Sequence, residues 1–174
     1  QASRASQVYV DLVDRFPDPE SMAGADICEL RSWFKSLGLT QRADRLKAAS
    51  KLLLDHYQGE VPRELDALIK LPGIGPYAAR AILCMAYGEP VPMVDGSSGR
   101  LLRRLLGLPS TGPSHSDKDL IAAAEKLVPD DNPISFNLAL LDIAAKFCKP
   151  TQPLCHNCPL FDHCDYPTSM TVQD

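Results

Sequence analysis

The hydrophobic positions of this chain recur at helical spacing in one segment after another, and Pro and Gly residues separate the segments. In residues 1–16, Ala5, Val8, Leu12 and Val13 follow the helical period, and Phe16 closes the face. Pro17 and Pro19 end that helix, which opens without a capping sequence, as expected for part of a longer helix. Residues 21–37 read as one short helix ending near Gly38, with Leu30, Phe34 and Leu37 on one side. Trp33 and Phe34 read as core aromatics in preference to a binding platform. Residues 40–57 predict an amphipathic helix with Thr40 as its N-cap. Leu46, Ala49, Leu53 and Tyr57 keep the period, while Arg42, Arg45, Lys47 and Lys51 take the wetter side, facing solvent or phosphate. Gly59 stops this helix, and Pro62 precedes another over residues 63–70.

The next stretch holds the first candidate chemistry. Leu71-Pro72-Gly73-Ile74-Gly75 reads as a tight turn into a helix rich in small residues, with Pro76 where a first helical turn tolerates it. The glycines permit positive φ and close backbone approach, and Ile74 is placed to fill the space between helices. Such a turn leaves N–H groups beside a helix N-terminus, which suits a phosphate without any basic side chain. An ordinary glycine-cornered helix-turn-helix would share the pattern.

Residues 88–94 hold two prolines and read as extended or irregular, and they lead to Asp95. Asp95 is placed as an N-cap; the same rigid carboxylate beside a helix dipole can stabilise positive charge or orient a water. Gly96 to Gly99 read as a small, flexible link to a helix over residues 100–108, in which Arg100, Arg103 and Arg104 make a local basic patch. After a loop at 109–116, Ser116 or Asp117 caps a helix reaching Leu127, and His115 is assigned no role. Residues 134–147 predict a strongly apolar helix with Leu138, Leu141 and Ala145 on one face. Asp142 within it reads as a buried structural acid, with a second active-site acid as the alternative.

Four of the six cysteines fall in one C-terminal array, Cys148-x6-Cys155-x2-Cys158-x5-Cys164. Four thiolates suit zinc or an iron–sulfur centre. Only the middle gap is short and Pro150, Pro153 and Pro159 stiffen the loop, which favours an iron–sulfur cubane over a zinc ribbon. The clustering points to one metal site in a reducing compartment, with Cys28 and Cys84 as isolated core thiols. A net charge of −4 and a pI near 5.5 speak against a nonspecific nucleic-acid coat, without excluding a local basic face. No apolar run is long enough to span a membrane, and no signal-peptide pattern is visible.

Together and in this order, the LPGIG turn, the Val94-Asp95 step and the cysteine array resemble the helix-hairpin-helix, GPD-type DNA glycosylases that carry a 4Fe–4S cluster. The resemblance implies an all-α fold of two helical lobes, residues 1–90 and 91–174, with a cleft between them. It implies a 4Fe–4S cluster on Cys148, Cys155, Cys158 and Cys164 and an intracellular monomer acting on double-stranded DNA that holds a mismatched or damaged base. Asp95 matches the catalytic aspartate, Leu71 to Gly75 match the phosphate-gripping hairpin, and Gln1 matches the start of the segment that enters the vacated stack. Arg100 is expected to add a DNA contact.

Tyr77 stands where endonuclease III-like members carry a lysine that cleaves the strand. Its phenol cannot form a Schiff base, so the resemblance implies a monofunctional enzyme, with Tyr77 against the flipped nucleotide. Tyr77, AILCMAYGEPVPMVD and LVPDDNPISFNLALLDIAAKFC are most similar to thymine–DNA mismatch glycosylases, which remove T or U opposite G. Adenine removal opposite guanine or 8-oxoguanine, as in MutY-like members, is one alternative. A non-catalytic DNA-binding or redox-sensing iron–sulfur module is another.

Overall fold

A computed structural model describes residues 2–110 and 112–166. Among them are nine α-helices and three single turns of 3₁₀ helix, with no strand, so the all-α expectation holds. The chain divides into two compact units, Gln1–Gly75 and Pro76–Asp174.

The first unit contains α1 (Ala2–Arg15), α2 (Pro19–Gly24), α3 (Ile27–Lys35), α4 (Gln41–Tyr57) and α5 (Leu65–Ile69). Its core gathers Leu12, Phe16, Met22, Ala25, Leu30 and Ala43, with Trp33 and Phe34 packed against it as expected of core aromatics. The single helix expected over 21–37 is two. Asp26 interrupts it, accepting from the N–H groups of Cys28 and Glu29 at 2.8 and 2.9 Å and starting α3 afresh. Such a cap stabilises a helix by about 1 kcal/mol, enough to favour a new start over a continuous turn. On α1, Leu12 and Phe16 are buried, but Val13 is 43% exposed and Ala5 lies outside. A stripe four residues apart meets the core, so the wider face read from the sequence is only half used. Thr40 occupies the N-cap position of α4 without a side-chain cap bond. That helix ends through two left-handed residues, Gln58 and Gly59.

The second unit contains α6 (Pro76–Tyr87), α7 (Gly96–Leu105), α8 (Lys118–Glu125) and α9 (Pro133–Lys146). Val94, Leu101, Leu102, Leu120, Ala124, Leu140 and Ala144 form its core. The inner face of α9 is therefore Asn137, Leu140 and Ala144, whereas Leu138 is 43% exposed and Ala145 is outside. Asp142 is exposed, so it is neither the buried acid expected nor desolvated. The outward rotation leaves Asn137 as the buried polar group of this helix.

The segment Gly96–Gly99 is the first turn of α7, not a flexible link. Gly99 is buried there, and a Cβ on it would stand 2.3 Å from both Cβ and Oγ of Ser114. Ser114 is fixed in turn by Arg103, which reaches it through Nη1 at 2.8 Å and pairs with the buried Asp117 through Nη2 at 2.7 Å. The loop therefore cannot retreat without breaking a buried ion pair. Gly99→Ala is expected to destabilise the protein by about 1–3 kcal/mol through overpacking, measured by urea unfolding. Stability equal to wild type would show that the loop yields freely.

Candidate functional site

Residues Glu89 to Val94 cross from α6 to α7 without regular secondary structure. Pro90 and Pro92 have no N–H to place in a ladder, and Val91 N–H closes a tight turn onto Glu89 O at 2.8 Å. Pro92, Met93 and Val94 are buried, which pins the chain just before Asp95.

Asp95 is half-buried and extended, and it caps α7. Its Oδ1 accepts from Ser97 N–H at 2.8 Å and from Ser98 N–H at 2.7 Å, and the Ser98 hydroxyl lies 2.9 Å from the same oxygen. The Asp95 N–H donates back to Ser98 Oγ at 2.9 Å, completing a capping box. Every side-chain hydrogen bond of Asp95 thus falls on Oδ1, and Oδ2 has no partner among the described residues. The N-cap reading of Asp95 therefore holds, and it occupies one oxygen of the carboxylate. Tyr77, at the start of α6, senses this charge. Partial burial and then the negative Asp95 push its phenol above the ordinary tyrosine range, so it remains a neutral O–H group.

The 71–75 turn belongs to the first unit. Leu71 is buried, Ile74 is half-buried, and Ile74 N–H donates to Leu71 O at 3.0 Å. Gly73 has φ +87°, a conformation that favours glycine, and a Cβ on it would lie 3.1 Å from Cβ of Arg45, a contact that the arginine stem would have to yield to. Gly75 meets neither constraint: its φ is unremarkable and nothing lies near an added Cβ. Both glycines are exposed, and neither N–H has a hydrogen bond among the described residues. Gln1, expected at the strand-inserting segment, lies outside the described residues.

Cys148, Cys155, Cys158 and Cys164 line one pocket with Leu101, Leu105, Phe147, Leu160 and Phe161 around them. Burial, followed by the three other cysteines, raises the Cys164 thiol. Among the described residues no three His, Cys, Asp or Glu side chains stand close enough to grip a single ion. The arginines of α7 serve this loop. Arg100 Nε donates to Cys148 O at 2.9 Å; Arg104 Nη1 donates to Lys149 O at 2.7 Å and approaches Cys148 Sγ at 3.4 Å, while its guanidinium lies over Tyr166. With Arg103 paired to Asp117, the basic patch read from the sequence is largely committed inside the fold.

Two contributors escaped the sequence reading. Ser98 was taken for part of a loose link, although Asp-x-x-Ser ahead of an apolar helix is itself a capping-box signal. Asn137, 1% exposed, accepts from Met93 N–H at 2.7 Å. Its only signal was an amide within an apolar run.

Residues 1–130 match a family described as HhH-GPD superfamily base excision DNA repair protein. A thymine-DNA glycosylase of Aeropyrum pernix is 36% identical over 169 residues, covering 95% of this chain and 76% of that protein. An adenine DNA glycosylase of Mycolicibacterium smegmatis is 37% identical over 163 residues, covering 93% of this chain but only 55% of its own length. The solved structure of a thermostable thymine-DNA glycosylase superposes with a TM-score of 0.89 at 31% identity, over 97% of this chain and 78% of that one. Likeness of this extent in sequence and fold leaves one assignment: the chain belongs to the HhH-GPD superfamily of base excision DNA repair proteins and is a DNA glycosylase.

Proposed function

We propose that this glycosylase removes thymine or uracil paired with guanine from double-stranded DNA, acting as a monomer and leaving an intact strand with an abasic site. The observation that carries the reading is the division of labour on Asp95, whose Oδ1 accepts from two backbone N–H groups with the Ser98 hydroxyl beside them, while Oδ2 has no partner among the described residues. Substrate choice is supported by the likeness to the Aeropyrum thymine-DNA glycosylase over 95% of the chain.

A mismatched nucleotide is cheaper to extrude than a paired one. The turn at Leu71 to Gly75 holds a backbone phosphate through the N–H groups of Gly73 and Gly75, with Ile74 as its anchor and Arg45 beside it. Arg100 anchors the cysteine loop through Nε and offers the rest of its guanidinium to DNA. As the glycosidic bond breaks, its electron pair leaves with the base, and C1′ becomes part of an oxocarbenium-like cation. Oδ2 of Asp95 faces that charge and takes a proton from the water that adds to C1′. A fixed anion helps most where charge exists only in the transition state. Tyr77, a neutral phenol beside the carboxylate, packs on or hydrogen-bonds the extruded nucleotide. With no amine at that position, no covalent sugar intermediate forms and the strand is not cut.

The four cysteines fit a 4Fe–4S cluster: sulfurs from one loop surround a single apolar pocket, and Arg104 supplies an N–H toward Cys148 Sγ. Bound there, the cluster would fix the loop in place, all four thiolates being its ligands. Adenine removal is the second reading, favoured by 37% identity to the mycobacterial adenine DNA glycosylase.

A base-release panel on T:G, U:G, A:G and A:8-oxoguanine duplexes tests the substrate. Release from T:G and U:G is expected, and release from the adenine duplexes alone would establish the second reading. Asp95→Asn should bind the preferred duplex with little change yet lose on the order of 10²–10³-fold in single-turnover excision; undiminished excision would refute the assignment. Borohydride should trap no enzyme–DNA adduct. In a tyrosinate absorbance titration, the Tyr77 signal, isolated by difference from Tyr77→Phe, should sit above the ordinary tyrosine range. It should fall only partway in Asp95→Asn, because burial is the larger cause; no change would separate the two groups. Chemical analysis should find about four iron and four sulfide per chain, and zinc in their place would reject the cluster.

A further inference from the structure

The segment that leads to Asp95 has no neighbouring strand to pair with among the described residues, and Pro90 and Pro92 have no N–H to offer one. One side chain takes the place of a neighbouring strand. Asn137 Oδ1 accepts from Met93 N–H at 2.7 Å, and Nδ2 donates to Val91 O at 3.0 Å, two residues earlier on the same edge. Nδ2 also donates to Pro133 O in its own helix at 2.9 Å and lies 3.4 Å from Cys84 Sγ. An N–H on one side and two carbonyls on the other allow only this orientation of the amide. The network then continues toward the acid. Ser98 Oγ lies 3.1 Å from Met93 O and 2.9 Å from Asp95 Oδ1, and its one hydroxyl proton is shared between these two acceptors, so Ser98 couples the Met93 backbone to the acid.

We infer that Asn137 is a positioning residue for the glycosylase reaction: through Met93 and Ser98 it sets where the Asp95 carboxylate stands. This rests on Asp95 being the catalytic acid of the proposed function. Asn137 is itself buried at 1% exposure, so it acts on the reaction through the backbone it holds at Val91 and Met93 and not by touching the substrate. An unanchored strand lets the carboxylate drift, and a displacement of about 1 Å in a reacting group costs on the order of 100-fold in rate.

The test separates rate from binding. Asn137→Ala should lower single-turnover excision of the preferred mismatch by about 10- to 100-fold, while affinity for a duplex carrying a stable abasic-site analogue stays within about twofold of wild type, as expected when only the placement of the acid is lost. In the Asp95→Asn background the same substitution should lower the residual rate no further, because the two act as a unit. Should Asn137→Ala not yield folded protein, Ser98→Ala removes the second link of the network and should show the same split. A folded Asn137→Ala or Ser98→Ala variant that excises at the wild-type rate overturns the inference, as does a loss of DNA affinity matching the loss of rate. Unchanged excision by Asp95→Asn alone would instead remove the proposed function on which the inference stands.

Discussion

A carboxylate that starts a helix and also stabilises a cation must satisfy two demands that oppose each other. Capping needs the oxygens turned toward backbone N–H groups, and catalysis needs an oxygen left unshared. Asp95 meets the first through the N–H groups of Ser97 and Ser98, which converge on Oδ1 with the Ser98 hydroxyl beside them, and in the proposed mechanism it meets the second through Oδ2, which has no partner among the described residues. The dipole of α7 favours the negative charge, and the capping box fixes its direction. The surroundings follow from that arrangement. The preceding strand is buried and tied to Asn137, and the first turn of α7 is packed tightly enough that Gly99 has no room for a methyl group. The loop against which Gly99 packs is itself locked by the Arg103–Asp117 pair.

The acidic pI looked awkward for a DNA enzyme, and the structure deepens that impression before resolving it. Arg103 is consumed by Asp117 and Ser114, and Arg104 by the carbonyls of the cysteine loop. Positive charge in α7 therefore organises the protein. The exposed glycine N–H groups of the 71–75 turn offer donors for phosphate that add nothing to the formal charge. A side chain on Gly73 would be strained by its left-handed backbone and would press on the Arg45 stem.

Features encoded within a few residues were legible before any coordinates. Pro17, Gly59 and Pro62 bound the helices as their backbone chemistry demands, and Asp95 was readable as a cap. The cysteine spacing led to one pocket. Features that depend on distant packing were not legible. Helix α9 is apolar nearly all round, so its periodicity names a stripe but gives no polar side to orient it, and Leu138 and Asn137 exchanged places. Asp26 hid inside an apparently continuous helix because a cap competes with helix continuation by only about 1 kcal/mol. The tightness of Gly99 comes from Ser114, and the importance of Asn137 from Met93, contacts no local pattern records.

The most direct measurement of the central claim is a crystal structure of the enzyme on a duplex bearing a cationic azasugar at the excision position, a mimic of the sugar in the transition state. Oδ2 of Asp95 should stand about 3 Å from the cationic nitrogen, within hydrogen-bond distance, with Oδ1 still held by Ser97 and Ser98. A complex in which Oδ2 turns away from the sugar, or in which Oδ1 leaves its cap to meet it, would contradict the account.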